Sequence, residues 1–170
     1  MKKIKIRHAE PGDAAGLKAI YEQPSSLAGT LQLPFPSLAM WQQRLQNRSE
    51  SHYDLIAEIG DQIVGNAGLE VNTRPRLKHA AHIGIAVHEA FRKQGVGSAL
   101  LSEIIRLADG WLGVRRIELE VFVDNESAKA LYSKHGFVAE GVASCYALRD
   151  GDYVDVLRMA RVRRLNTKTR

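Results

Sequence analysis

Hydrophobic and polar positions change rhythm several times along the chain, and each change marks an element. Lys3–Arg7 alternates apolar and charged residues with period two, which predicts a strand. Pro11-Gly12-Asp13 then opens a helix, with Asp13 as its cap and Leu17 and Ile20 on one face, and this helix stops by Pro24. Pro24–Pro36 carries three prolines and predicts a long loop, a length that often signals function inside a compact domain. Ser37 caps a second helix through Trp41 and Leu45. Tyr53–Ile59 and Gln62–Val71 are β-rich runs separated by Gly60-Asp61, the signature of a tight hairpin. Ala80–Val87 reads as a further strand. Leu100, Ile104, Leu107 and Trp111 recur at helical spacing within a long helix over Gly95–Leu112. Arg116–Val123 alternates again. Asn125–His135 is a helix closed by Gly136. Phe137–Leu148 and Tyr153–Ala160 form a last hairpin around Arg149–Asp152. The order β-α-α-β-β-β-α-β-α-β-β predicts an α/β protein with a central mixed, largely antiparallel sheet flanked by helices.

Composition narrows this picture. The chain has 170 residues, 45% hydrophobic and 25% charged, as expected of one ordinary globular domain. No run reaches the ~20 apolar residues of a membrane span, and the basic N-terminus lacks the apolar stretch of a secretory signal. Cys145 is the one cysteine, so no intrachain disulfide or Cys-rich zinc site can form, no metal is expected, and a cytoplasmic location is. The net charge of +5 hints at nucleic acid. However, the last ten residues hold five basic residues and no acid, which leaves 19 basic against 19 acidic residues in 1–160. The division is therefore a single domain over 1–160 and a basic tail over 161–170. A neutral body argues against a nucleic-acid-binding domain.

The chemistry concentrates between Ile85 and Leu100. Here a strand leads through Arg92-Lys93-Gln94-Gly95-Val96-Gly97-Ser98 into a helix. The first helical N–H groups have no intrahelical acceptors, and the helix dipole adds positive charge there. Gly95 and Gly97 let an anion approach the backbone closely, and Arg92 and Lys93 add formal charge. No Gly-Lys-Ser/Thr follows, so this is not a P-loop, and the dinucleotide-binding glycine spacing is also missing.

Arg92-x-x-Gly95-x-Gly97 after a mid-chain strand resembles the acetyl-CoA motif of the GCN5-related N-acetyltransferase superfamily. Val121–Phe137 is similar to the family's strand–Asn–helix–Tyr–x–x–x–Gly–Phe segment, and the element order is the family's as well. The Leu31–Pro36 loop, Trp41 and the ending Tyr146–Asp155 resemble a bacterial branch that acetylates free L-amino acids. The resemblance implies an acetyl-CoA-dependent N-acetyltransferase acting on the primary amine of a small molecule, by direct attack in a ternary complex. It implies that backbone N–H groups from Gln94 to Ser98, Val96 among them, with Arg92 and Lys93, hold the coenzyme A pyrophosphate. Ile85 and Val87 would pair with the pantetheine arm where their strand splays from its neighbour. Asn125 fits equally as an N-cap or a cofactor contact.

The resemblance makes Tyr132 the expected general acid, a role that suits a phenol, which keeps its proton at neutral pH and can give it to a leaving thiolate. The base stays open among His82, Glu118 and Glu120 on the two strands of the split, with Glu70 nearby, or a relayed water. Phe35, Trp41 and Tyr146 would line an apolar acceptor pocket and Arg149 would hold a carboxylate. Cys145 is not expected to act. Acetylation of a protein N-terminus and a non-catalytic acyl-CoA-binding module are the alternatives, and the open edge of the last strands admits a homodimer.

Overall fold

The computed structural model describes residues 3–163. Seven strands form one sheet in the order β1-β2-β3-β4-β5-β7-β6: β1 (Ile4–His8), β2 (His52–Ile59), β3 (Gln62–Val71), β4 (Ala80–Val87), β5 (Arg116–Phe122), β6 (Val138–Arg149) and β7 (Asp152–Val162). Every neighbouring pair is antiparallel except β4 and β5, which run parallel. The sheet is therefore mixed and largely antiparallel, as predicted. The β2–β3 and β6–β7 hairpins close on two-residue turns, and Asp150 and Gly151 both take the positive φ such a turn needs.

The helices are α1 (Ala14–Tyr21), α2 (Pro24–Gly29), α3 (Leu38–Gln46), α4 (Val96–Gly110) and α5 (Glu126–Lys134). α4 buries Leu100, Leu101 and Ile104 on one face of the sheet, in a cluster that also takes in Tyr132 and Phe137 from the α5 end. α1 and α3 bury Leu17, Ile20, Trp41 and Leu45 against the other face. Ser37 caps α3 by accepting from the Met40 N–H at 3.1 Å, as its position predicted.

Three sequence expectations change. The predicted loop begins with a helix, α2, because Pro24 occupies its first turn, where a missing N–H costs nothing. Asp13 does not cap a helix with its side chain. It lies in a 3-10 turn over Pro11–Asp13 and binds Arg7, whose Nη1 and Nη2 donate to its carboxylate at 2.7 and 2.8 Å. β7 continues past Ala160, so Arg161 belongs to the sheet and makes a two-point pair with Asp109 of α4 at 2.9 and 2.8 Å. Val162 of the predicted tail also lies in β7, and residues 164–170 lie outside the described residues.

Candidate active site

The sheet comes apart at its centre. β4 and β5 pair only at Ala80, Ala81 and His82, opposite Arg116, Ile117 and Glu118. Beyond that point β4 continues to Val87 on β3, and β5 continues to Phe122 on β7. The edge of β4 from Ile83 to Val87 is left open to a ligand that can satisfy backbone groups.

Two cavities meet at this split. The first, of about 610 Å³, is bounded by Ile85 and Val87 of β4, by Arg92, Lys93, Gly95, Val96, Gly97 and Ser98 at the start of α4, by Asn125, and by residues of α2. Gly95 has φ +87°, a left-handed conformation that disfavours any side chain. It lets the chain turn sharply into α4, whose first internal bond runs from the Ala99 N–H to the Gly95 carbonyl at 2.9 Å. The N–H groups of Val96, Gly97 and Ser98 therefore point out of the helix end. Gly97 serves packing as well: a Cβ there would stand 3.1 Å from Leu131 of α5. Arg92 is anchored by its Nε to the Val87 carbonyl at 3.4 Å. Gln94 turns away from the cavity, its side-chain amide donating to the Ala90 carbonyl at 2.9 Å. Asn125 caps α5 by accepting from the Ala128 N–H at 3.2 Å. An open strand edge, an outward-facing helix N-terminus and two cations together fit a long phosphorylated thioester such as acetyl-CoA.

The second cavity, of about 660 Å³, lies against the opposite face of the sheet, over Gly68 and Gly84. A Cβ added to Gly84 would meet nothing within 4 Å. Its walls include Trp41, Arg44 and Arg48 from α3 and its C-terminal turn, Glu70 and His82, Glu120 of β5, and Tyr146. His82 Nε2 and a Glu120 carboxylate oxygen are 2.6 Å apart, so two of the candidate bases form one hydrogen-bonded pair across the split. Glu118 is held instead by Arg116, which also binds Glu140. At the floor, Asp54 lies 3.2 Å from Arg48 Nε and 3.3 Å from His52 Nε2. Burial pushes the Asp54 carboxyl up, but the His52 hydrogen bond and the two neighbouring cations outweigh it, so the net shift is downward. The same bond holds the His52 imidazole above its ordinary value against desolvation.

Tyr132, Ile85, Gly29 and Thr30 border both cavities. The segment around Tyr132 explains its placement. Gly136 at φ +85° reverses the chain, the Phe137 N–H returns to the Tyr132 carbonyl at 3.1 Å, and the two rings meet with centroids 5.7 Å apart. Burial pushes the Tyr132 phenol up to about 12.

The predicted acceptor residues divide. Trp41 lines the second cavity while stacked on Tyr21 at 4.8 Å. Tyr146 reaches it because β6 bulges between Ala143 and Ala147, with Cys145 at φ +51°. Phe35 is 99% exposed and lines neither cavity. Arg149 stands beside the first cavity, where Asp124 binds it at 2.5 and 3.3 Å and the Ala28 carbonyl accepts from it at 3.2 Å. Sequence reasoning missed Arg44 and Arg48. The spacing of Arg44 from Trp41, three residues on, is the signal that puts both on one face of α3, whereas Arg48 lies beyond the helix end at Gln46 and no local pattern marks it.

The profile of the acetyltransferase (GNAT) family matches residues 18–137. The chain belongs to that family. It is 47% identical over 163 residues to the L-amino acid N-acetyltransferase AaaT of Escherichia coli, covering 96% of this chain and 100% of that protein. Among solved structures, a GNAT-family acetyltransferase from Streptococcus pneumoniae superposes with a TM-score of 0.81 at 29% identity, covering 95% of this chain and 100% of that one. A ribosomal-protein-alanine N-acetyltransferase from Brucella melitensis gives 0.83 at 27% identity, covering 93% and 99%. The chain is thus an N-acetyltransferase of the GNAT family, whose members use acetyl-CoA. Among the described residues, no helix is long and apolar enough to cross a membrane.

Proposed function

We propose that this enzyme moves the acetyl group of acetyl-CoA to the α-amine of a free L-amino acid, by direct attack with both substrates bound. The observation that carries this reading is the meeting of the two cavities at Tyr132 and Ile85, one shaped for a phosphorylated arm and the other walled by aromatic and charged groups. The relative that shares 47% of its residues over nearly the full length carries that activity in its name.

Each residue then has a task. Arg92, Lys93 and the N–H groups from Gly95 to Ser98 hold the pyrophosphate, with Gln94 contributing through its backbone. Ile85 and Val87 pair with the arm along the open edge of β4. Bound there, acetyl-CoA supplies an activated acyl carbon at the split. His82, oriented by its hydrogen bond to Glu120, takes the proton from the acceptor ammonium, directly or through water. Tyr132, buried and protonated, gives its proton to the departing sulfur. Much of the acceleration comes from holding amine and acyl carbon together.

The test is release of free thiol from acetyl-CoA by the purified protein with a panel of L-amino acids, small amines and protein N-terminal peptides. Turnover with one or more L-amino acids is the expected result. Turnover with peptides alone would replace the acceptor class, and tight acetyl-CoA binding with no turnover would make the protein a binding module.

A further inference from the structure

Besides Arg92, which serves the pyrophosphate end, three guanidinium groups line the two cavities, and two of them already have carboxylate partners. Arg149 is held by Asp124 and by the Ala28 carbonyl, on the cofactor side. Arg48 faces the acceptor cavity, but its Nε lies 3.2 Å from Asp54, and its Nη1 lies 3.4 Å from the Ala9 carbonyl and 3.2 Å from His8 Nδ1. Arg44 is different. Its Nη1 donates to the neutral Gln32 side chain at 2.8 Å, and its guanidinium carbon stands 5.0 Å from the centre of the Trp41 ring. Among the described residues no carboxylate lies within ion-pair distance of it. Stacking on an aromatic ring and one neutral hydrogen bond fix the orientation of the guanidinium without cancelling its charge.

We infer that Arg44 binds the acceptor's carboxylate, so that the second cavity is built for an α-amino acid and not for an amine alone. This rests on the reading of the enzyme as an amino-acid acetyltransferase and names the group that enforces it. The cavity is polarised in the required sense. Its α3 wall carries the unneutralised cation, while its strand wall carries Glu70 and the His82–Glu120 pair. A zwitterion whose carboxylate meets Arg44 presents its amino group toward the acidic strands and the base. A planar fork meets a carboxylate at two points, which fixes direction as well as affinity.

The experiment compares L-amino acids with their amides in wild type, Arg44→Gln, Arg44→Lys and Arg48→Gln, with acetyl-CoA binding measured by calorimetry as a check on folding. Losing charge-assisted hydrogen bonds of ~1.5–3 kcal/mol corresponds to a rise in amino-acid KM of ~10- to 100-fold for Arg44→Gln, with KM for the amide and affinity for acetyl-CoA unchanged. Arg44→Lys keeps the charge but not the fork, and falls between the two. Arg48→Gln is expected to lower Tm while keeping the preference for acid over amide. If Arg44→Gln keeps that preference, or Arg48→Gln loses it, the assignment of Arg44 is overturned. If the wild type acetylates no α-amino acid, the acceptor reading falls before any variant is made, and the role of Arg44 falls with it.

Discussion

At the scale of single residues, Tyr132 carries the sharpest consequence. Its phenol is pushed up to about 12 by burial alone, so it stays protonated at every pH at which the enzyme would be assayed. Tyr132→Phe keeps the ring that packs on Phe137 and removes only the hydroxyl at the junction of the cavities. General acids contribute ~10²–10⁴-fold, so kcat should fall by roughly that factor with acetyl-CoA affinity retained. Steady-state kinetics beside a binding isotherm read this directly. An equal loss of binding and turnover would make Tyr132 a structural residue. Gly95 and Gly97 form a second contrast, because their neighbours constrain them differently. Gly95→Ala forces a side chain into φ +87°, while no neighbour stands within 4 Å of the new Cβ. The strain of ~1–2 kcal/mol falls on the turn that aims the helix N-terminus. KM for acetyl-CoA should rise, with a modest loss of Tm. Gly97→Ala instead pushes on Leu131, one residue before Tyr132, so kcat should respond as well.

At the scale of elements, the second cavity depends on how the end of α3 is fastened to β2. Arg48, Asp54 and His52 make that joint, and Asn66 extends it, accepting from the buried Tyr21 hydroxyl at 2.7 Å and donating to the Leu55 carbonyl at 3.0 Å. The Asp54 carboxyl is held below its ordinary 3.8, so its contribution to stability is present above that pH and is lost as pH falls through the folded value. The His52 imidazole is held above its ordinary 6.5, so its contribution is present below that pH and is lost as pH rises through the folded value. Asp54→Asn should therefore lower Tm most between roughly pH 4 and 6.5, with the gap from wild type narrowing on both sides. A gap that stays constant with pH would mean that shape, and not charge, is what matters at the joint.

Much of this scale was legible in advance. The alternation of β5, the glycine-rich entry to α4 and the Tyr–x–x–x–Gly–Phe spacing are local patterns, and local patterns survive folding. What was not legible depends on partners distant in sequence. Pro24 reads equally as the start of a loop or the first turn of a helix, and the contact of the Ser25 N–H with Glu89 at 2.9 Å is invisible until the fold brings them together. The bulge that turns Tyr146 inward is a mismatch between two strands, so β6 alone cannot reveal it. Arg149 has the right chemistry for a carboxylate, but Asp124 already supplies one.

At the scale of the molecule, one interrupted sheet sets the order of chemistry. The cavities lie against opposite faces and meet at the split, where Tyr132 and Ile85 are shared, with Gly29 and Thr30 at the end of α2 bordering both. An acyl carbon held along β4 can be reached from the acceptor side without first being parked on the protein. The free cysteine does not offer an alternative route, because Cys145 lies on the exposed bulge of β6 and lines neither cavity. Direct transfer therefore requires both substrates together. Initial rates measured over a grid of acetyl-CoA and amino-acid concentrations should give intersecting double-reciprocal lines and no parallel set. Acetyl-CoA alone should release no stoichiometric burst of thiol and leave the intact mass of the protein unchanged, and Cys145→Ala should keep full turnover. A burst with a matching gain of one acetyl group in mass would show a covalent intermediate. The split would then serve a protein nucleophile, and the roles of His82 and Tyr132 would have to be assigned anew.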